Sequence, residues 1–238
     1  MSSSEMIGVT IDGRRIDVPG GTTIWEAARR LGVDIPVLCH DPRLEPVGVC
    51  RICLVDIGEK KLTAACVRRA EDEMEVRTST PTLDACRRGL VELLLSDYPC
   101  DAADRFKTAP DELLGLAREL GVAWPGNGAG STAGARTADV GGILAGGGRP
   151  VDDSSKVISV DHQACILCDR CIRACDDIQV NEVIGRTGKG YASRIAFDLD
   201  VPMGESTCVA CGECEKVCPT GALSLRDLAA GADGWERV

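Results

Sequence analysis

Fourteen cysteines occupy the 238 residues of this chain, and twelve of them fall into crowded spacings. Thiolate sulfur is a soft ligand that takes iron–sulfur clusters or zinc, so spacing decides the chemistry. The first set is Cys39, Cys50, Cys53 and Cys66, in the pattern C-x10-C-x2-C-x12-C. Four thiolates converging from two sides suit two irons bridged by two sulfides. One loop supplies the first three and a following strand supplies the fourth. Cys50 and Cys53 are expected on one iron, with Cys39 and Cys66 on the other. The small residues Gly48, Ala64 and Ala65 let the backbone wrap close to such a group. Backbone N–H groups aimed at the sulfurs would tune its potential. A tetrahedral zinc site uses the same four donors.

The second set is an internal repeat. Cys165, Cys168, Cys171 and Cys175 read C-x2-C-x2-C-x3-C; Cys208, Cys211, Cys214 and Cys218 repeat it and end in Pro219. This run holds [4Fe–4S] clusters, with the fourth cysteine of each run ligating the other cluster. One cubane is therefore assigned to Cys165, Cys168, Cys171 and Cys218. The other takes Cys208, Cys211, Cys214 and Cys175. The crossing makes the two runs one unit. The two histidines are not assigned as ligands. His40 follows a cluster cysteine and suits a hydrogen-bonding role beside it, and His162 reads as a solvated loop residue.

Crowded C-x-x-C pairs in a chain of this length argue against a disulfide scaffold. The N-terminus shows no secretory signal, and Arg14-Arg15 is followed by no apolar core, so a reducing cytoplasm is expected. No apolar run approaches the ~18 residues of a membrane helix, so no membrane insertion is expected. The formal net charge is −10. Each filled cluster site adds about −2, which takes the total to roughly −16. Such a surface repels nucleic acid and anionic lipid and suits protein partners with basic patches. No G-x-G-x-x-G or P-loop marks a nucleotide site.

The elements that must position the cysteines are legible in outline. Ile7, Val9 and Ile11 alternate, Asp12-Gly13 turns, and Ile16 and Val18 alternate again. Thr23 and Glu26 form a capping box for a helix with Ile24, Ala27, Ala28 and Leu31 on one face, stopped at Gly32. A cysteine-bearing loop runs from Ile35 to Cys53. Leu54–Ile57 and Leu62–Val67 read as strands joined at Gly58-Glu59-Lys60. A helix from Thr80-Pro81 to about Ser96 turns Leu83, Leu90, Leu93 and Leu94 inward, with Cys86 as a core thiol. Asp111–Leu120 reads as a short helix, and Gly121–Pro150 as a Gly-rich linker. Order resumes near Lys156, in a segment expected to have little apolar core besides its clusters. The fold class is α+β. Four stretches result: a [2Fe–2S] domain over 1–97, a connecting region over 98–155, a two-cubane domain over 156–226 and a tail over 227–238.

The first stretch resembles the β-grasp fold of plant-type ferredoxins, although its cysteine spacing differs from theirs. The x10/x2/x12 spacing, with Leu38-Cys39-His40-Asp41-Pro42 and Pro46-Val47-Gly48-Val49-Cys50-Arg51-Ile52-Cys53, resembles the ferredoxin-like start of the large iron–sulfur subunit of respiratory complex I. It also resembles NAD-linked hydrogenases and formate dehydrogenases. The later runs resemble a bacterial-type ferredoxin. Asn181-Glu182-Val183-Ile184-Gly185-Arg186, Gly188-Lys189-Gly190-Tyr191, Phe197-Asp198 and Pro202-Met203-Gly204 resemble the equivalent segment of formate dehydrogenase catalytic subunits, as do Arg149–Ser154 and Pro219–Leu223. The resemblance covers about residues 5–226. It implies one [2Fe–2S] and two [4Fe–4S] clusters.

That family also holds a cubane on one histidine and three cysteines after the long helix. Here Tyr98 stands at the histidine position, and Cys100 is the one thiol close by, with Cys86 on the preceding helix. The third site is expected to be empty. No catalytic residue and no flavin, nicotinamide, molybdopterin or nickel site is recognisable. The resemblance implies an electron-transfer subunit of a cytoplasmic NAD(P)-linked oxidoreductase of hydrogenase or formate dehydrogenase type. Its partners would be a flavoprotein subunit that handles NAD(P)H, facing the [2Fe–2S] domain, and a catalytic hydrogenase or formate dehydrogenase subunit. The chain's end near residue 238 favours a separate subunit over a formate dehydrogenase fragment. A free-standing polyferredoxin carrier and an assembly platform with structural clusters are the alternatives.

Overall fold

The computed structural model describes residues 5–99, 111–123 and 151–226. Most of the Gly-rich stretch, the tail and Cys100 lie outside the described residues. The chain forms two compact units: Met1–Ser96 with Leu116–Val122, and Asp97–Gly115 with Ala123–Val238.

In the first unit, β1 (Met6–Ile11) and β2 (Arg14–Pro19) form the expected hairpin, paired from Met6↔Pro19 to Ile11↔Arg14. Asp12 and Gly13 both have positive φ (48° and 77°), as a two-residue turn of this hand requires. Thr23 and Glu26 close a full capping box on α1 (Ile24–Arg30). Gly32 (φ 74°) ends the helix in a Schellman pattern, with Val33 N–H on Ala28 O and Gly32 N–H on Arg29 O. Ile24, Trp25, Ala27 and Ala28 pack with Val9, Ile11 and Val18 in the core.

The expected strands at 54–57 and 62–67 are shorter: β3 (Leu54–Val55) pairs with β4 (Thr63–Ala64). Asp56 leaves the ladder because its backbone exchanges two hydrogen bonds with Arg77. After Ala64 the chain turns, with Val67 and Arg68 N–H both on Ala64 O, and that turn presents Cys66. A further strand, β5 (Met74–Val76), runs parallel to β1 and makes it the centre of a β2-β1-β5 sheet. Helix α2 (Pro81–Leu95) starts at Thr80, whose hydroxyl accepts from Leu83 N–H. It buries Leu83, Arg87, Val91 and Leu95, a stripe at four-residue spacing. Leu93, expected to face inward, comes two residues past Val91 and so lies on the opposite side, 72% exposed. Cys86 is half-buried beside the stripe rather than in the core.

In the second unit, β6 (Val151–Asp152), β7 (Ile158–Asp161) and β10 (Leu223–Leu225) form an antiparallel sheet in the order β10-β7-β6. Strand β6 thus begins at Val151, before the Lys156 at which the sequence placed the start of this domain. A helix, α3 (Glu112–Glu119), contributes its first turn to this unit. The cysteine runs carry single-turn helices, α4 (Arg170–Arg173) and α5 (Glu213–Lys216), and a π turn follows α4 over Ala174–Ile178. Between the runs, β8 (Ile184–Thr187) and β9 (Arg194–Phe197) form a hairpin. This unit is not poor in apolar core. Ile158, Val160, Val183, Ile184, Ile195, Phe197, Met203 and Leu223 are buried together with the cysteines.

Gly204 packs directly on Ser154: its N–H donates to the Ser154 hydroxyl at 2.8 Å, and a Cβ there would collide with the Ser154 carbonyl. Gly204→Ala is expected to destabilise the second unit by about 1–3 kcal/mol, the usual cost of overpacking. The check is a thermal melt followed by limited proteolysis, with cleavage rising after residue 151 and the first unit unaffected.

Candidate metal centres

The first set of cysteines converges in the first unit. Cys39, Cys53 and Cys66 are buried and Cys50 is half-buried. Sγ of Cys53 and Cys66 lie 3.3 Å apart, and Cys50 N–H donates to Sγ of Cys39 at 3.5 Å. Two thiolates on one tetrahedral metal stand roughly 3.8 Å apart for metal–sulfur bonds of ~2.3 Å. Cys53 thus lies beside Cys66, and the Cys50 backbone beside Cys39, where the sequence led Cys50 and Cys53 to be expected on one iron. Arg51, between Cys50 and Cys53, is left-handed (φ 61°).

The four thiols perturb one another. Hydrogen bonds with Cys50 and Cys66 pull the Cys39 thiol down, and one with Cys66 pulls Cys53 down. The same hydrogen bonds, and then burial, push Cys50 and Cys66 up. Four sulfurs this close cannot all ionise without cationic charge among them. Ala64 and Ala65 are fully buried at the site, and a Cβ on Gly48 (φ 65°) would press on Val67. His40 is buried edge-on to Trp25, ring centroids 4.5 Å apart, and the Trp25 indole N–H donates to Ile35 O. That pair anchors the loop on either side of Cys39.

Arg87 was not anticipated. It sits on the buried stripe of α2, and its guanidinium donates to the carbonyls of Ile52 and Leu54 at 3.2 and 2.7 Å. It thus grips the backbone on both sides of Cys53. No spacing signal marks it, because an arginine at a helix position reads as a solvated charge.

In the second unit the two cysteine runs line two separate cavities. Cys165, Cys168, Cys171 and Cys218 line one, with Ile195 and Leu223. Cys175, Cys208, Cys211 and Cys214 line the other, with Ile158, Val183 and Ile184. The fourth cysteine of each run thus faces the first three of the other. The repeat extends to the backbone. Leu167 and Asp169 in the first run, and Ala210 and Gly212 in the second, all have positive φ (54°, 61°, 53° and 82°). Each pair of left-handed residues flanks the second cysteine and curls the run around its cavity.

Burial, then the charge of Cys218, pushes the Cys168 thiol up; burial with Cys168 and Cys165 raises Cys171 further. Burial with Cys208 and Cys211 raises Cys214 to about 12, and burial with Cys211 and Cys175 raises Cys208. These groups need positive charge to become ligands. Among the described residues no three His, Cys, Asp or Glu side chains converge on one point as ligands of a single ion do. The cysteines of the second unit line the two cavities, as ligands around a multi-iron cluster do.

The first cavity is clamped from outside. Arg170 is 3% exposed and holds Glu112 with both guanidinium ends, at 2.7 and 2.9 Å, while reaching Val217 O. Glu112 N–H donates to Pro219 O at 2.9 Å. The Tyr98 hydroxyl lies 2.7 Å from Thr220 O and 2.5 Å from the Asp111 carboxylate. Burial first, then Asp111, keeps that phenol protonated. His162, expected to be solvated, is 4% exposed, because Ile158–Asp161 carries it into the sheet.

Two domain families match this chain. Residues 4–81 match the 2Fe-2S iron-sulfur cluster binding domain and residues 164–222 the 4Fe-4S dicluster domain. The chain is an iron–sulfur protein of mixed α and β structure that joins these two domains, as its cysteine spacing anticipated. Its relatives include the NADP-reducing hydrogenase subunit HndD of Solidesulfovibrio fructosivorans, 33% identical over 92% of this chain and 36% of that protein. A subunit of the NADH-quinone oxidoreductase of Rhizobium meliloti is 34% identical over 97% of this chain and 25% of that protein. The chain thus spans about a third or less of these relatives. A chain in the crystal structure of an NAD+-reducing [NiFe]-hydrogenase in the H2-reduced state superposes with a TM-score of 0.74, at 26% identity, over 98% of this chain and 90% of that one.

Arg87→Leu is expected to leave the Ile52 and Leu54 carbonyls without their charged donor and to cost about 2–3 kcal/mol in the first unit. Chemical denaturation followed by Trp25 fluorescence checks this. Arg87→Lys should recover part of the loss, since one ammonium reaches one carbonyl well but not both in a fork.

Proposed function

We propose that this chain is an electron-transfer subunit of a cytoplasmic, NAD(P)-linked oxidoreductase of hydrogenase or formate dehydrogenase type. It would relay single electrons between a flavoprotein subunit that handles NAD(P)H and a catalytic subunit. Cys39, Cys50, Cys53 and Cys66 hold one [2Fe–2S] cluster, with Cys53 and Cys66 on one iron. Cys165, Cys168, Cys171 and Cys218 hold one [4Fe–4S] cluster, and Cys208, Cys211, Cys214 and Cys175 hold the second. The N-terminal domain runs to about residue 97, and the two-cubane domain from β6 at Val151 to about 226. No third cubane forms after α2, where Tyr98 serves as a hydrogen-bonded strut.

The observation that carries this reading is the pair of separate cavities, each lined by three cysteines of one run and the fourth of the other. All-thiolate clusters leave no open iron for substrate, so their chemistry is outer-sphere electron transfer. The resemblance of nearly the whole chain to subunits of NAD(P)-linked complexes supports the assignment of partners. No described helix is long and apolar enough to cross a membrane.

Iron analysis of the reconstituted chain should give about ten irons, two plus four plus four. About fourteen would mean a third cubane and overturn the assignment at Tyr98. Cys53→Ser should remove the [2Fe–2S] electron paramagnetic resonance signal and leave both cubane signals. Chelation of the iron should loosen residues 165–175 and 208–218 to hydrogen exchange while the β2-β1-β5 sheet stays protected.

A further inference from the structure

The two cavities of the second unit differ in the exposure of their cysteines. At the first, Cys168 and Cys171 are buried and Cys165 and Cys218 half-buried. At the second, Cys211 is the exposed member of the described cysteines. Val209, between two of its lining cysteines, is 63% exposed, and Val180, next to the lining Asn181, is 75% exposed.

The backbone between them is unusual. The π turn over Ala174–Ile178 is followed by Val180 and Glu182, both left-handed (φ 55° and 52°), with Asn181 N–H held on Cys175 O. A β-branched residue at positive φ is a genuine outlier, and such backbone persists where the surroundings enforce it, often at functional sites. Here it turns an apolar side chain out to solvent. Three carboxylates, Asp176, Asp177 and Glu182, share this segment. Burial first, then the charges of Glu182 and Asp177, pushes the Asp176 carboxyl above its usual range, and its buried Oδ1 has no hydrogen-bond partner.

We infer that the face formed by Val180, Val209 and the Asp176–Glu182 segment is where a protein partner with a basic rim docks and exchanges electrons with the second cubane. Exposed valines next to the exposed acids Asp177 and Glu182, at the cavity of the exposed cluster cysteine, combine a short path with electrostatic steering. The collar is acidic, so the complementary rim is basic. The inference rests on the cluster assignment proposed above. One electron leaves the reduced cubane and reduces one acceptor centre in the partner, with no proton or bond exchanged.

The test uses the whole, cluster-loaded chain, reduced and mixed by stopped flow with a lysine-rimmed cytochrome c as acceptor. Replacing the three acids together (Asp176→Asn, Asp177→Asn, Glu182→Gln) should lower the second-order rate about tenfold at low salt and flatten its salt dependence. Neutralising Asp34, Glu75 and Glu92 of the first unit, an equal change in net charge, should lower it by less than about twofold. Equal effects of the two sets, or a larger effect of the second, overturn the docking site. So does a faster rate on deleting residues 124–150, which would put the chain's own segment on this face. Iron content and cubane signals are read on the same samples. Their absence from the unsubstituted chain counts against the cluster assignment, not against docking. If only the triple variant loses its second cubane, Asp177→Asn alone carries the comparison: a drop of about twofold supports the site, and no change overturns it.

Discussion

Four thiols gathered in one buried pocket cannot all ionise unless cationic charge sits among them, because burial and mutual repulsion both favour the protonated form. The rise of Cys168, Cys171, Cys208 and Cys214 shows burial acting first and neighbouring thiolates second. In the first unit the same conflict appears as opposed shifts, Cys39 and Cys53 down and Cys50 and Cys66 up. Iron resolves it by binding sulfur and supplying the charge. The rest of the fold follows from the need to gather these sulfurs. Strands of two or three residues and single-turn helices are enough where the bonds to a cluster complete the packing.

The two units gather their thiols by different means. The first builds a sheet and a capped helix, then hangs its cysteines on loops around that core. There the loop needs outside support, and the buried guanidinium of Arg87 provides it through the Ile52 and Leu54 carbonyls. The second writes the geometry into the run itself. Left-handed residues at Leu167 and Asp169, repeated at Ala210 and Gly212, curl each run, and Arg186 holds the first bend through Leu167 O and the Asp169 carboxylate. A non-glycine residue bears a small strain in that conformation, which explains why glycine serves at position 212 and aspartate, tolerant of it, at 169.

Much of this was legible in the cysteines, because ligand spacing is a local code. The Asp12-Gly13 turn and the Thr23–Glu26 capping box were equally local and equally readable. What escaped depends on tertiary pairing. β5 has only Met74 and Val76 as apolar residues among charges, and its partner β1 lies more than sixty residues earlier. The apolar core of the second unit is spread singly from Ile158 to Leu223, so no window shows it. Leu93 failed because Val91 and Leu95 define a stripe that excludes it. The approach of Cys53 to Cys66 is a tertiary contact, which no spacing reveals.

The Tyr98 phenol ties its segment to the limb that carries Cys218, through Thr220 O, and to the start of α3, through Asp111. Asp111 also accepts from Leu114 N–H, so one carboxylate caps the helix and holds the tyrosine. Next to it, Glu112 receives Arg170 from the other cysteine run. Arg170 is buried and its partner is 43% exposed, so the ion pair itself is screened. Its worth lies more in the geometry of the fork, which with Val217 O fixes the first run against the second. The two struts thus tie together the segments that carry the cysteines of the first cavity: Arg170 from the first run, and Val217 and Thr220 on either side of Cys218.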